Sequence, residues 1–566
     1  MTNKQKLELT WIGKEKRPRL EPRIFLEDSE LSIQGEQKEG TFDGNLLIHG
    51  DNLLALKALE QDYAGQVKCI YIDPPFNTGE AFENYDDGLE HSLWLTLMEQ
   101  RLKMLHQMLT DDGHLFIHID DNELAYLMVL CDEVFGRSNL KSLITFKQSS
   151  ASGPKAQNPG VVTTSNYILW YAKDSKCWAP NKVFKSRDRD SRYSQFILNK
   201  ESSIDSWKLV PLNDAYCIIN SIETNNLKNY LGSSYEKKLN DFVLKYKDQV
   251  VQLARVQEKD VNEPAKKKLR ESLVQEIFTM SEREDKAPYV FFKGKQVLFY
   301  STKTKVIDGI LTTTEPLTNI WDDLLSNNVH KEGGVRFPKG KKPEALIKRV
   351  LELSTQEGDL VLDSFAGSGT TAAVAHKMGR RWITVELGEQ AVTHVQPRLK
   401  AVVSGLDQDG ISKVTNWQGG GGFRYLRLAP SLLQKDEWGN WVINKEYNAE
   451  MLSAAMCKHM GFTYAPSETQ FWNHGYSTET DFIYVTTGAL AYDQLKRISE
   501  EVGEERTLLI CCKAFMSEGA DFLNLTIKKI PQSILNKCEW DNDDYSFTLN
   551  VLAEDDVELY DDEEEA

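Results

Sequence analysis

Residues 67–78 read V-K-C-I-Y-I-D-P-P-F-N-T. The first six are largely apolar and carry β-branched side chains, the pattern of a parallel strand buried on both faces. Such a strand delivers Asp73 to its C-terminal end, the edge at which open α/β sheets bind ligands. Two prolines follow, each with a fixed φ and no backbone donor. Asp73 and the Pro74 carbonyl can therefore face one side as acceptors, with Phe76 presented for stacking, so Tyr71 to Thr78 reads as a holder for a planar amino group.

Working outward, N-L-L-I-H-G-D-N gives a strand at Leu46 to Ile48, and a helical run covers Leu53 to Leu59. Asn77 to Glu90 is polar and acidic and reads as a loop beside the site. Apolar residues at helical spacing over Trp94 to Leu109 predict a helix with one buried face. H-L-F-I-H-I-D is the next strand, and a helix follows from Glu123 to about Phe135. Strand and helix in alternation mean a doubly wound sheet. His114 and His118 share one face of their strand and read as packing residues rather than a metal pair; no metal site is expected.

Alternation stops near Lys141 and resumes near Ile320. Between them lie short strands such as Tyr167 to Ala172 and Tyr289 to Phe292, and a long charged helical segment near Tyr235 to Met280. Then Pro343 to Leu353 reads as a helix, and D-L-V-L-D as a strand running into S-F-A-G-S-G-T-T and a helix to about Met378. R-W-I-T-V-E is a strand ending at Glu386. A strand, a glycine turn, a helix and an acid at the end of the next strand form the nucleoside-binding half of a Rossmann-like sheet, the acid serving both ribose hydroxyls. Gly367 and Glu386 stand 19 positions apart. No lysine follows Gly369, which excludes a phosphate-cradling P-loop and favours an adenosine cofactor. The four glycines 419–422 mark a hinge or a tight backbone approach. The remaining part alternates strands, including Phe482 to Val485 and Thr507 to Cys511, with helices.

A chain of 566 residues needs several cores. Its net charge of −18 is unevenly spread. Residues 141–320 hold 29 Lys and Arg against 20 Asp and Glu, whereas residues 431–566 hold 10 against 27 and end in D-D-E-E-E-A. The middle of the chain can meet phosphates although the whole is acidic. Its aromatics Trp170, Tyr171, Trp178, Tyr193 and Trp207 look exposed and suit base stacking. The basic cluster Lys14, Lys16, Arg17, Arg19 and Arg23 reads as part of an N-terminal arm lying against the body. Eight scattered cysteines without a C-x-x-C pair argue for a reducing, cytoplasmic compartment. No apolar run approaches membrane-spanning length, and no secretory leader is visible at the start.

Read together, D-P-P-F and F-A-G-S-G-T place a base-amine holder beside a nucleoside site. The sequence resembles the β group of S-adenosylmethionine-dependent DNA amino-methyltransferases, and more narrowly the modification subunit of type III restriction-modification systems. The resemblance is carried by H-G-D-N-L-L-A-L, Y-I-D-P-P-F-N-T, D-E-V-F-G, N-I-W-D-D, K-P-E-A-L-I-K-R-V-L, G-G-G-F-R-Y and L-T-I-K-K-I-P. It implies an α/β fold: a permuted Rossmann-like methyltransferase sheet, an inserted α+β target-recognition domain and a C-terminal α/β domain. The expected boundaries are an arm at 1–40, the two methyltransferase halves at 41–140 and 319–405, the insert at 141–318, and a C-terminal domain at 406–566 for dimerisation and partner docking.

The resemblance further implies catalytic roles for Asp73, Pro74, Pro75 and Phe76. Cofactor contacts are implied for Asp363, Phe365, Ala366, Gly367, Gly369, Thr370 and Glu386, with Asp51 and Lys342–Pro343 as further candidates. The implied cofactor is S-adenosylmethionine, and the implied substrate is the N6 amino group of an adenine turned out of double-stranded DNA. A homodimer and an ATP-dependent restriction subunit are the implied partners. Two alternatives are a subunit that chiefly reads DNA for a separate nuclease-translocase and a solitary methyltransferase. Phe76 stands where tyrosine is commoner.

Overall fold

The computed structural model describes residues 8–38, 40–76, 87–150, 160–324, 329–337, 340–516 and 522–546. Most of the expected loop at Asn77 to Glu90 and the acidic end of the chain lie outside these residues. The chain divides into two compact units, one made of residues 1–181 and 319–566 and the other of Lys182–Thr318.

The first unit is built on ten strands: β1 (Phe25–Gln34), β2 (Asn45–His49), β3 (Val67–Ile72), β4 (Leu109–Ile119), β5 (Leu140–Lys147), β6 (Ser165–Ala172), β7 (Ile320–Trp321), β8 (Leu360–Asp363), β9 (Arg381–Glu386) and β10 (Gly422–Leu428). Their order is β1-β10-β2-β9-β8-β3-β4-β6-β5-β7. From β10 to β4 every neighbouring pair is parallel. The central strand β3 is buried at all but one position, as its apolar run requires. The helices that matter for the site are α1 (Asn52–Tyr63), α2 (Asp87–Met108), α3 (Leu124–Cys131), α4 (Glu344–Ser354), α5 (Thr370–Lys377) and α6 (Gln396–Val403). This is the Rossmann-like α/β sheet expected from the alternation, with its nucleoside half late in the chain.

Three differences from the sequence reading have physical causes. β5 and β6 belong to the main sheet, where β6 runs antiparallel to both β4 and β5, so the second compact unit starts at Lys182 rather than near 141. For the same reason Trp170 and Tyr171 are core residues, and Tyr193 is buried too; apolar area outweighed any stacking role. Within the second unit, the segment Tyr235 to Met280 is two helices, Tyr235–Lys245 and Glu263–Gln275, separated by the strand Val250–Ala254. The β-branched V-V-Q-L-A favours a strand, and Asn262 caps the second helix by accepting from the Ala265 N–H.

That second unit is α+β, as expected of the insert, with a six-stranded sheet whose neighbours are all antiparallel. The C-terminal part has its own five-stranded sheet, in which Asp481–Val485, Thr507–Cys512 and Leu525–Lys529 run parallel. The glycine run before β10 is a close backbone approach: a Cβ on Gly421 would lie 2.6 Å from the Phe42 carbonyl oxygen and one on Gly419 2.7 Å from the Gly405 nitrogen. The N-terminal arm lies against the body. The Trp11 indole donates to Thr96 Oγ1 at 2.8 Å, Lys14 pairs with Glu133, and the buried Arg23 pairs with Glu21. Among the described residues no helix is long and apolar enough to cross a membrane.

Candidate active site

Three carboxylates stand at one edge of the sheet. Glu386 ends β9, Asp363 ends β8, and Asp73 follows β3 by one residue; the three strands are adjacent and parallel. Asp363 Oδ1 accepts from the Phe365 N–H at 2.9 Å, which folds the chain into the turn. Glu386 Oε2 accepts from the Gly367 N–H at 2.8 Å and Oε1 from the Gly388 N–H at 3.2 Å. The two halves of the nucleoside motif are therefore joined directly, from glycine turn to acid.

The two glycines of the turn differ. Gly369 has φ +73° at the start of α5, and a Cβ there would strike Val395 Cγ1 at 2.9 Å, so it is fixed by packing. Gly367 has φ +52°, and a Cβ would meet nothing within 4 Å. Open space over a backbone already bent for glycine is room for a ligand. Gly367→Ala is expected to weaken cofactor binding about tenfold or more while costing only about 1 kcal/mol of stability; calorimetric titration alongside a denaturant melt separates the two effects.

Burial pushes the Asp363 carboxyl up to about 7, with the charges of Asp73 and Glu386 adding to the rise and hydrogen bonds from Thr371 and Phe365 opposing it. Burial likewise raises Glu386 and Asp73 above the usual carboxylate range. A cluster of acids under this strain suits a cationic ligand and repels a phosphate.

On the amine-holding side, Asp73 Oδ2 receives the Lys342 ammonium at 2.5 Å. Asp73 Oδ1 is buried with no partner among the described residues. The Lys342 Nζ lies 5.1 Å from the centre of the Phe76 ring, which also stacks at 21° on His118, 6.1 Å away. His118 is held by Tyr71 Oη at 3.0 Å and Asn166 at 3.3 Å. It is a packing residue beneath the aromatic platform, and His114 receives the Trp170 indole N–H at 3.2 Å. Among the described residues no cluster of His, Cys, Asp and Glu could hold a metal. The Trp94 indole on α2 donates to the Pro75 carbonyl at 2.8 Å and pins the proline turn.

Two of the sequence candidates are engaged elsewhere. Asp51 caps α1, accepting from the Leu53 and Leu54 N–H groups at 2.9 and 3.0 Å on one oxygen and from Arg101 and the Tyr545 N–H on the other. The Thr370 hydroxyl is held by Arg398 at 2.7 Å and Ser368 at 3.1 Å. Phe365 and Ala366 line the turn itself, with the Ala366 N–H donating to the Val385 carbonyl at 3.0 Å. Sequence reasoning missed Trp94, whose signal is a tryptophan on a buried helical face needing an acceptor. It also missed the network of Glu344, Lys377 and Arg398, whose three members lie on separate helices and carry no local mark of one another.

A glycine turn joined to an acid stands beside an Asp-Pro-Pro-Phe turn on the same edge of a Rossmann-like sheet. The DNA methylase family of N6 and N4 methyltransferases matches residues 67–397, and the chain belongs to it. Among curated proteins, the chain is 35% identical over 450 residues to the probable type III restriction-modification enzyme HindVI Mod subunit of Haemophilus influenzae, covering 72% of this chain and 58% of that one. It is 24% identical over 510 residues to the EcoP15I Mod subunit of Escherichia coli, covering 77% and 73%. The chain thus spans just over half the length of the Haemophilus relative. A solved Thermus thermophilus structure, titled a putative DNA modification methylase complexed with S-adenosyl-L-methionine, aligns at 14% identity over 68% of this chain and 98% of that one, with a TM-score of 0.31.

The cofactor of this class is S-adenosylmethionine, and the residues present fit it. The open space at Gly367 admits a ligand, and the carboxylates answer its positive charges. Because Asp363 is half protonated near pH 7 in the free protein and a cation favours its ionised form, affinity should rise with pH. The sign for folding is the reverse: a carboxyl raised in the folded state contributes stability that is full below its unfolded value and is lost as pH rises through about 7. The melting-temperature increase given by S-adenosylmethionine is therefore expected to be larger at pH 8 than at pH 6, with affinity changing by up to about tenfold per pH unit below the raised value. Differential scanning fluorimetry across that range checks it.

Proposed function

We propose that this chain transfers a methyl group to the N6 amino group of adenine in duplex DNA, as the modification and recognition subunit of a type III restriction-modification system. The observation that carries the reading is the adjacency of the Asp73–Phe76 turn to the hydrogen-bonded Gly367–Glu386 pair on neighbouring strands of one sheet. Support for the system comes from curated relatives named as type III Mod subunits. An acid as first residue of the motif favours adenine over cytosine.

Asp363, the backbone of Phe365, Ala366 and Gly367, and Glu386 would hold the cofactor. S-adenosylmethionine, when bound, supplies an electrophilic methyl group. Asp73 and the Pro74 carbonyl accept hydrogen bonds from the amino group of the base, which draws the nitrogen lone pair out of conjugation and makes it nucleophilic. Phe76 supports the base, which must leave the duplex for its amine to reach the donor. Asp73 then takes the proton that the alkylated nitrogen gives up, and solvent removes it. Holding both reactants in line contributes much of the acceleration.

The second compact unit, with its basic balance, would contact the DNA, and the assembly would be a homodimer joined by an ATP-dependent restriction subunit docking on the C-terminal part. A cytoplasmic location goes with that role. The test is incubation of the full chain with unmethylated DNA and labelled cofactor, then digestion to nucleosides. Label in N6-methyladenine supports the reading; label in methylcytosine, or transfer to RNA in preference to duplex DNA, overturns it. Co-purification with the product of a neighbouring gene tests the partner.

A further inference from the structure

The structure joins Asp73 to a cation that lies far away in sequence. Lys342 sits one residue before Pro343, whose φ of −63° leads into α4. Its side chain is 8% exposed, with Nζ 2.5 Å from Asp73 Oδ2 and 3.2 Å from the Gly340 carbonyl. The ammonium also lies over the Phe76 ring, so one lysine is set against both the acid and the aromatic ring of the proposed base site.

We propose that Lys342 is a positioning residue for methyl transfer, its ammonium fixing one oxygen of Asp73 and keeping the group ionised so that the other oxygen is the acceptor for the adenine amine. The inference rests on the methyltransferase reading and adds a residue to it. A protonated Asp73 would present a hydroxyl that competes with the amine instead of an anion that draws off its protons. Burial pushes toward that inactive form. The other titratable groups facing it, Tyr71 and His118, do not help. Burial keeps the Tyr71 hydroxyl from ionising and the His118 ring from protonating. The ammonium of Lys342 opposes the rise at Asp73 both by charge and by hydrogen bond.

A lysine at this place could instead grip the carboxylate end of the cofactor, and the two roles separate in measurement. The test uses the full chain, with Lys342→Gln, Lys342→Arg and the wild type compared in single-turnover transfer to unmethylated DNA from pH 5.5 to 9, and S-adenosylmethionine affinity by calorimetry at pH 8. The acidic limb of the Lys342→Gln profile is expected to move up by about one pH unit or more, so that its rate is about tenfold below wild type at pH 6 and recovers at alkaline pH. Lys342→Arg should keep the wild-type limb, and cofactor affinity should stay within about threefold for both variants.

An unmoved limb in Lys342→Gln overturns the proposal, as does a large loss of cofactor affinity with the pH profile unchanged. If Lys342→Gln does not fold, Lys342→Arg decides: a limb displaced although the charge remains also overturns it. Failure of the underlying reading looks different, because the wild type itself would then transfer no methyl group to adenine at any pH.

Discussion

Asp73→Asn is expected to abolish methyl transfer while leaving the protein folded and the cofactor bound. The reason lies in how the two carboxylate oxygens are used. Oδ2 is taken by Lys342, whereas Oδ1 has no partner among the described residues. Asparagine can keep its carbonyl oxygen toward the lysine, but its amide then points an N–H group where the substrate amine also brings N–H. Two donors face each other, and the acceptor that would draw the amino protons away is gone. A loss of about three orders of magnitude in kcat corresponds to about 4 kcal/mol of transition-state stabilisation. The substitution also removes one of the charges that raise Asp363, so cofactor affinity at pH 7 should hold or improve slightly. Single-turnover kinetics with calorimetric titration of S-adenosylmethionine checks both halves. Near-normal transfer by Asp73→Asn would place the chemistry elsewhere.

What the sequence discloses of this site follows the range of each interaction. Strand ends and the residues just beyond them are local features, so Asp73, Gly367 and Glu386 stand out as candidates from apolar runs and turn chemistry, whereas Asp363 becomes one through the family resemblance. Their adjacency needed the sheet order, which places β3 beside β8 although nearly 300 positions separate them. The Lys342–Asp73 pair was hidden for the same reason: a lysine before a proline reads as a helix entrance and carries no mark of its partner. Asp51 shows the opposite ambiguity. An acid at the end of a strand is equally an N-cap of the helix that follows, and here one oxygen caps α1 while the other accepts from Arg101 and the Tyr545 N–H. The insert is expected to start near 141 because regular strand–helix alternation stops there, whereas the antiparallel pairing of β6 with β4 on one side and β5 on the other assigns both strands to the main sheet.

The support beneath the glycine turn gives the second large effect, on stability. Glu344 is fully buried at the start of α4 and accepts from the Lys377 ammonium at 3.0 and 2.8 Å, from Arg398 Nη2 at 2.8 Å and from the Ile411 N–H at 3.0 Å. Burial works to raise its carboxyl, but Arg398 and Lys377 hold it below the usual range. Its stabilising contribution is thus present above the ordinary carboxylate pKa and is lost as pH falls through the lowered value. Glu344→Ala leaves two buried cations, with Asp407 2.8 Å from Lys377 and the charge of Glu332 acting on Arg398. Breaking such a network on one side costs about 3–5 kcal/mol, because the desolvation of the stranded charges is no longer offset. The damage reaches the site, since Arg398 also donates to the Ser368 carbonyl at 3.1 Å and to the Thr370 hydroxyl at 2.7 Å, the groups that shape the turn around Gly367 and Gly369. Denaturant melts should show the lowered midpoint, and those molecules that remain folded should bind S-adenosylmethionine more weakly. Glu344→Gln, which keeps the size and one acceptor, should fall between the two. If Glu344→Ala lost less than about 1 kcal/mol, the cations would have found solvent, and the turn would owe its shape to Gly369 packing on Val395 instead.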